Sequence, residues 1–78
     1  MVLIMIAKVK EVFNDFSVDQ EITEESKLYE LGISSIMILE IIVAFEEKYD
    51  FVFDDDDLAQ DNFETVGSLM RLLSNYIK

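Results

Sequence analysis

A small all-α bundle of three main helices is the fold this sequence predicts, and three observations predict it. Apolar residues recur at three- and four-residue steps in three separate segments, the spacing that gathers side chains on one face of a helix. No segment keeps the alternation of a half-buried strand, and there is no proline to break a helical run. The chain has 78 residues with neither cysteine nor histidine, so no disulfide or zinc site can staple it. Stability must come from apolar burial, and 51% hydrophobic residues are enough for one core. Residues 1–78 read as a single domain without linker or repeat.

The first helix is carried by Val2, Met5, Ile6, Val9, Val12, Phe13 and Phe16. Its β-branched start, Val2 to Ile6, would also suit a strand, but the helical period continues through Phe16. Residues 17–33 follow as a long polar and acidic loop in which Ile22, Leu28, Leu31 and Ile33 are isolated apolar anchors. So long a loop in a small domain needs a tether or a function, and those four residues are expected to tether it across the core.

The second helix is expected to start at Ser34 or Ser35 and run to about Tyr49. Ser34 is the N-cap candidate, with Gly32 allowing a sharp turn before it. Ile38, Ile41, Ile42, Phe45 and Tyr49 share one face and should meet the core. The opposite stripe holds Ile36, Glu40, Val43, Ala44 and Glu47. Large apolar residues stand there where a solvated helix would carry polar ones, which marks the stripe as a candidate contact surface. Asp50 to Asn62 forms a second loop, with Phe51, Phe53 and Leu58 available for burial, and a short helical turn is expected near Asn62–Glu64. Thr65 then caps a last helix whose period runs through Val66, Leu69, Met70, Leu73, Tyr76 and Ile77.

The net charge of −11 is unevenly placed. Residues 1–16 balance to zero and residues 66–78 carry +2, so the middle, with 15 acids against Lys27 and Lys48, carries −13. Such a surface repels phosphate, and nucleic-acid binding is disfavoured. It steers partners that offer basic patches, and it also keeps a small apolar domain soluble. The apolar start lacks the basic leader of a signal peptide, and the longest central apolar run, Ile41 to Phe45, is far too short for a membrane span. A soluble, cytoplasmic monomer with no membrane role is expected, and the absence of cysteine fits a reducing compartment.

Two chemistries fail on spacing. The run Asp54–Asp57 suggests calcium, but an EF-hand loop counted from Asp54 would place Ala59 where glycine belongs and Thr65 where the bidentate glutamate belongs. A solvated acidic loop fits better. A hydrolase elbow around Gly32-Ile33-Ser34 would need a glycine where Ile36 stands, and no histidine exists to act as its base. Lys27 could serve as a base only if the fold brought it close. No enzymatic activity is expected.

Ser35 remains, and the pattern alone leaves it two roles: a first-turn serine satisfying free backbone N–H groups, or a point of attachment. Gly32-Ile33-Ser34-Ser35 followed by Ile36 opens a long helix ending in Phe45-Glu46-Glu47-Lys48-Tyr49-Asp50. Together with the first helix, the anchored loop and the Phe63-Glu64-Thr65-Val66 entry to the last helix, this order resembles the acyl and peptidyl carrier proteins over nearly the whole chain. The resemblance implies a four-helix carrier domain whose Ser35 receives 4′-phosphopantetheine from coenzyme A by the action of a phosphopantetheinyl transferase. It implies an acyl or aminoacyl group held as a thioester on that arm and shuttled between loading and condensing enzymes with basic patches. Ile36, Met37, Glu40, Val43 and Glu47 would meet those partners. Many carriers have aspartate where Ser34 stands, and fatty-acid-type carriers often have an acid at the position of Met37. Both departures suit a specialised peptide or polyketide pathway better than primary fatty-acid synthesis. The alternative is an unmodified helical interaction module that docks through its acidic helix.

Overall fold

The computed structural model describes residues 2–18 and 20–77, with side chains from Ile4 onward in that span. The place of Val2's side chain on the apolar face, and that of Lys78, lie outside the described residues. Among these residues three α-helices form: α1 (Val2–Asp15), α2 (Ser35–Tyr49) and α3 (Val66–Leu73). Three short 3₁₀ turns punctuate the connections, at Leu28–Leu31, Asp55–Asp57 and Gln60–Phe63. The expected turn near Asn62 is the last of these, placed slightly earlier. The other two were not expected from the sequence.

The core is built as the helical periods imply. Val9, Val12 and Phe13 from α1, Ile41 and Phe45 from α2, and Val66, Leu69, Met70, Leu72 and Leu73 from α3 are buried together. The loop anchors Ile22, Leu28 and Ile33 join them, and Leu31 packs half-buried at the edge. Because α2 meets the others along a narrow line, Ile38, Ile42 and Tyr49 are only partly covered. In the second loop Phe53 is buried and Phe51 half-buried, but Leu58 stays exposed. Phe51, Phe53 and Tyr76 pack ring against ring at 4.7–5.0 Å. Tyr76 accepts the Asp54 N–H at 3.1 Å and donates its hydroxyl proton to Asp57. The Asp57 hydrogen bond raises the tyrosine pKa above its usual value. Glu46 accepts the Phe53 N–H at 2.9 Å and fixes the same loop to α2.

The last helix is shorter than its period. Tyr76 and Ile77 lie past Leu73, in turns closed by Tyr76 N–H to the Leu73 carbonyl at 2.9 Å and Ile77 N–H to the same oxygen at 2.8 Å. Their side chains still face inward, because the tighter turns keep roughly the same direction. At the other end Thr65 and Ser68 form a reciprocal capping box.

The long first loop is bolted to that end by main-chain bonds. Val66 and Gly67 donate N–H groups to the carbonyls of Ser26 and Glu24, each at 2.8 Å, and Leu28 donates to Glu64 at 3.0 Å. The first two bonds satisfy donors at the start of α3 that have no partner within the helix. Gly67 makes the approach possible, since a Cβ there would stand 2.9 Å from the Glu24 carbonyl oxygen. Glycine to alanine inside a helix ordinarily gains about 1 kcal/mol. Here the sign should reverse: Gly67→Ala is expected to lose about 1–3 kcal/mol, as overpacking does. A urea midpoint that rises would show that the loop yields freely.

Candidate functional site

The entry to α2 builds the site. Gly32 ends the Leu28–Leu31 turn in the left-handed region, at φ 85°, where a side chain would strain the backbone. The chain then extends through Ser34, at φ −81° and ψ 170°, whose Oγ accepts the Met37 N–H at 3.2 Å while its carbonyl accepts from Ile38 at 3.0 Å. Ser34 is therefore the cap and Ser35 the first helical residue, so the capping work does not fall on Ser35. The Ser35 side chain is exposed and makes no hydrogen bond among the described residues. Ser34→Ala should cost about 1 kcal/mol, as N-cap losses do, and leave the Ser35 hydroxyl available. Thermal melts together with a modification assay would check both halves.

Ser35 opens onto a surface groove of about 710 Å³. Its floor is apolar: Leu28 and Ile33 from the first loop, Ile38 and Ile42 from α2, and Phe63 ahead of α3. Its rim carries Lys27, Tyr29, Leu39, Leu58, Gln60 and Glu64. Tyr29 and Leu39 are 67% and 65% exposed, large apolar surfaces left beside the groove. The Lys27 ammonium lies 5.8 Å from the centre of the Tyr29 ring.

Of the residues expected to meet partners, Ile36 is 73% and Val43 49% exposed, and Glu40 and Glu47 are exposed on the same stripe. One expectation needs correction. Ala44, expected on the outward stripe, is half-buried against the core, because it falls at the flank of the α2 seam rather than opposite it. Met37, also expected to meet partners, is half-buried at the other flank and keeps part of its side chain exposed. Sequence reading missed Leu39, although Ser35, Leu39 and Ile42 share a face at helical spacing and the signal was there. It could not place Tyr29, Leu58 or Lys27, which reach the groove through loops.

The Ser35 hydroxyl stands open at the first position of α2. No described residue hydrogen-bonds the Ser35 hydroxyl, and the described Asp and Glu residues form no cluster that could hold a metal ion. A phosphate ester fits what is present. The hydroxyl is accessible, and the Ser35 and Ile36 N–H groups have no hydrogen-bond partner among the described residues. Free N–H groups and the positive end of a helix favour an anion there.

Residues 4–73 match the family model described as a phosphopantetheine attachment site. An acyl carrier protein of Clostridium perfringens is 36% identical over 75 residues, covering 92% of this chain and 96% of that one. The solution structure of a holo acyl carrier protein from Nitrosomonas europaea superposes with a TM-score of 0.67 at 30% identity, over 86% of this chain and 83% of the other. A chain in the crystal structure of Bradyrhizobium japonicum glycine:[carrier protein] ligase, complexed with its cognate carrier protein and an analogue of glycyl adenylate, gives a TM-score of 0.72. That match is 22% identical and covers 91% of this chain and 92% of that one. Among the described residues no helix is long and apolar enough to cross a membrane.

Proposed function

We infer the function from one premise: the chain belongs to the acyl and peptidyl carrier proteins, whose covalent cofactor is 4′-phosphopantetheine. Ser35 is the residue that receives the arm. The observation that carries this reading is an exposed serine hydroxyl at the first position of α2, released from capping by Ser34 and facing an open groove. The arm contributes a terminal thiol able to hold an acyl or aminoacyl group as a thioester. The chain's own residues present the arm, shield its root and recognise partners, and none is assigned a catalytic role. Residues 1–78 act as one carrier domain.

The partners are a phosphopantetheinyl transferase and the acyl- or aminoacyl-loading and condensing enzymes. Two features favour specialised peptide or polyketide chemistry over primary fatty-acid synthesis: Ser34 in place of aspartate, and Met37 in place of an acid. Likeness to a carrier bound by a glycine ligase makes aminoacyl cargo the first to test. Co-expression with a broad-specificity transferase should yield protein bearing one arm, and a loading enzyme should then add a group that hydroxylamine removes. Protein that stays unmodified with every transferase would instead support an unmodified interaction module.

Ile36, Glu40, Val43 and Glu47 form the docking stripe of this reading, with Met37 contributing only its exposed edge. Glu40→Lys and Glu47→Lys should slow association with the transferase, and the loss should shrink as salt rises. Unchanged association rates at low salt would remove the stripe from the recognition surface.

A further inference from the structure

Among the described residues, Lys27 is the one cation on the groove that Ser35 opens onto. Residues 17–65 carry 15 acids and only two lysines. The second of these, Lys48, is committed elsewhere, with its ammonium 2.5 Å from Glu11 on α1. Lys27 is exposed and has no carboxylate within ion-pair distance among the described residues. Glu64, the one acid lining the groove among the described residues, forms no ion pair with it. Its one close partner among the described residues is the Tyr29 ring, a contact worth little at an exposed site.

The backbone of Lys27 is held firmly even though its head is free. It pairs with Thr65 in an isolated antiparallel bridge, flanked by the Leu28–Glu64 and Val66–Ser26 hydrogen bonds. A fixed base therefore carries a long cationic side chain at the rim of the groove, with no ion-pair partner among the described residues. Esterifying Ser35 with the arm adds a phosphodiester, one more negative charge, to a segment already at −13. The start of α2 offers only partial positive charge from its N–H groups.

We propose that Lys27 binds the phosphodiester of the arm, leaving Tyr29 to do so, and so holds the root of the arm along the groove. The proposal rests on the arm being carried by Ser35. Lys27 is a positioning residue: it takes no part in installing or transferring cargo, and it supplies the local countercharge that the rest of the surface lacks.

The test is a thermodynamic cycle between modification and Lys27, which isolates their coupling. Unfolding midpoints in urea are measured for apo and holo forms of wild type, Lys27→Met and Lys27→Arg, at low and high salt. Intact mass first establishes that each holo sample carries the arm, so failure of the Ser35 reading shows before the cycle begins. Lys27→Met should shift the unfolding equilibrium about two- to fivefold more in the holo than in the apo form, as an exposed ion pair does. The excess should vanish in high salt, and Lys27→Arg should retain it. The phosphorus resonance of the holo protein should narrow in Lys27→Met and recover in Lys27→Arg, reporting a looser and then a restrained root. Equal shifts in apo and holo forms would make Lys27 merely structural and overturn the proposal. Apo protein in millimolar inorganic phosphate should behave as it does without it. A phosphate-induced, Lys27-dependent stabilisation there would reveal a general anion site and reject the arm as its specific ligand.

Discussion

Phe45→Ala is expected to lose about 3–5 kcal/mol, the range for deleting a buried aromatic ring. Phe45 is fully buried where α2 meets the core, its ring 6.2 Å from that of Tyr49. A chain of this length has roughly 4–12 kcal/mol of total stability, at 0.05–0.15 kcal/mol per residue, so the variant should lose at least about a quarter of it. Val43→Ala, two residues away but half-exposed, should stay within about 0.5 kcal/mol of wild type. Ile42→Ala should fall between them, because Ile42 is only half-covered and also lines the groove. Urea titrations followed by circular dichroism separate these cases, the midpoint falling while the slope is held. A Phe45→Ala variant as stable as Val43→Ala would mean that α2 does not pack as described.

That contrast also shows what could be read from the sequence. Val9, Val12 and Phe13, then Ile41 and Phe45, then Val66, Leu69 and Leu73 announce three helices, because each burial stripe repeats over at least two turns. Ser34 and Thr65 announce their starts because capping is a local interaction that needs only neighbouring residues. The 3₁₀ turns at Leu28–Leu31 and Asp55–Asp57 were hidden because three or four residues cannot establish a period. The reason for a glycine at position 67 could not be read from its neighbours either: it lies in the Glu24 carbonyl, 43 positions away in sequence and too close in space for a Cβ. The groove was hidden for the same cause. Its α2 wall could be read from helical spacing, whereas Lys27, Tyr29 and Leu58 arrive through loops whose path is set by long-range contacts.

Ser35 itself was legible in two steps. Local rules placed it at a helix start, and the likeness to carrier proteins made it more than a capping residue. The structure adds the division of labour between Ser34 and Ser35. Ser34 Oγ is engaged with the Met37 N–H, whereas no described residue bonds the Ser35 hydroxyl. The carrier reading therefore turns on one oxygen atom, and its removal should have an all-or-none effect. Ser35→Ala deletes the acceptor of the arm without touching the cap, so its stability should remain within about 0.5 kcal/mol of wild type, as for other exposed sites.

The direct measurement is intact mass, with peptide mapping, of wild type, Ser34→Ala and Ser35→Ala after incubation with coenzyme A and a phosphopantetheinyl transferase. Wild type and Ser34→Ala should each gain one phosphopantetheine, mapped to Ser35, and folded Ser35→Ala should gain none. An arm on Ser35→Ala, or an arm mapped to Ser34 in the wild type, would contradict the account.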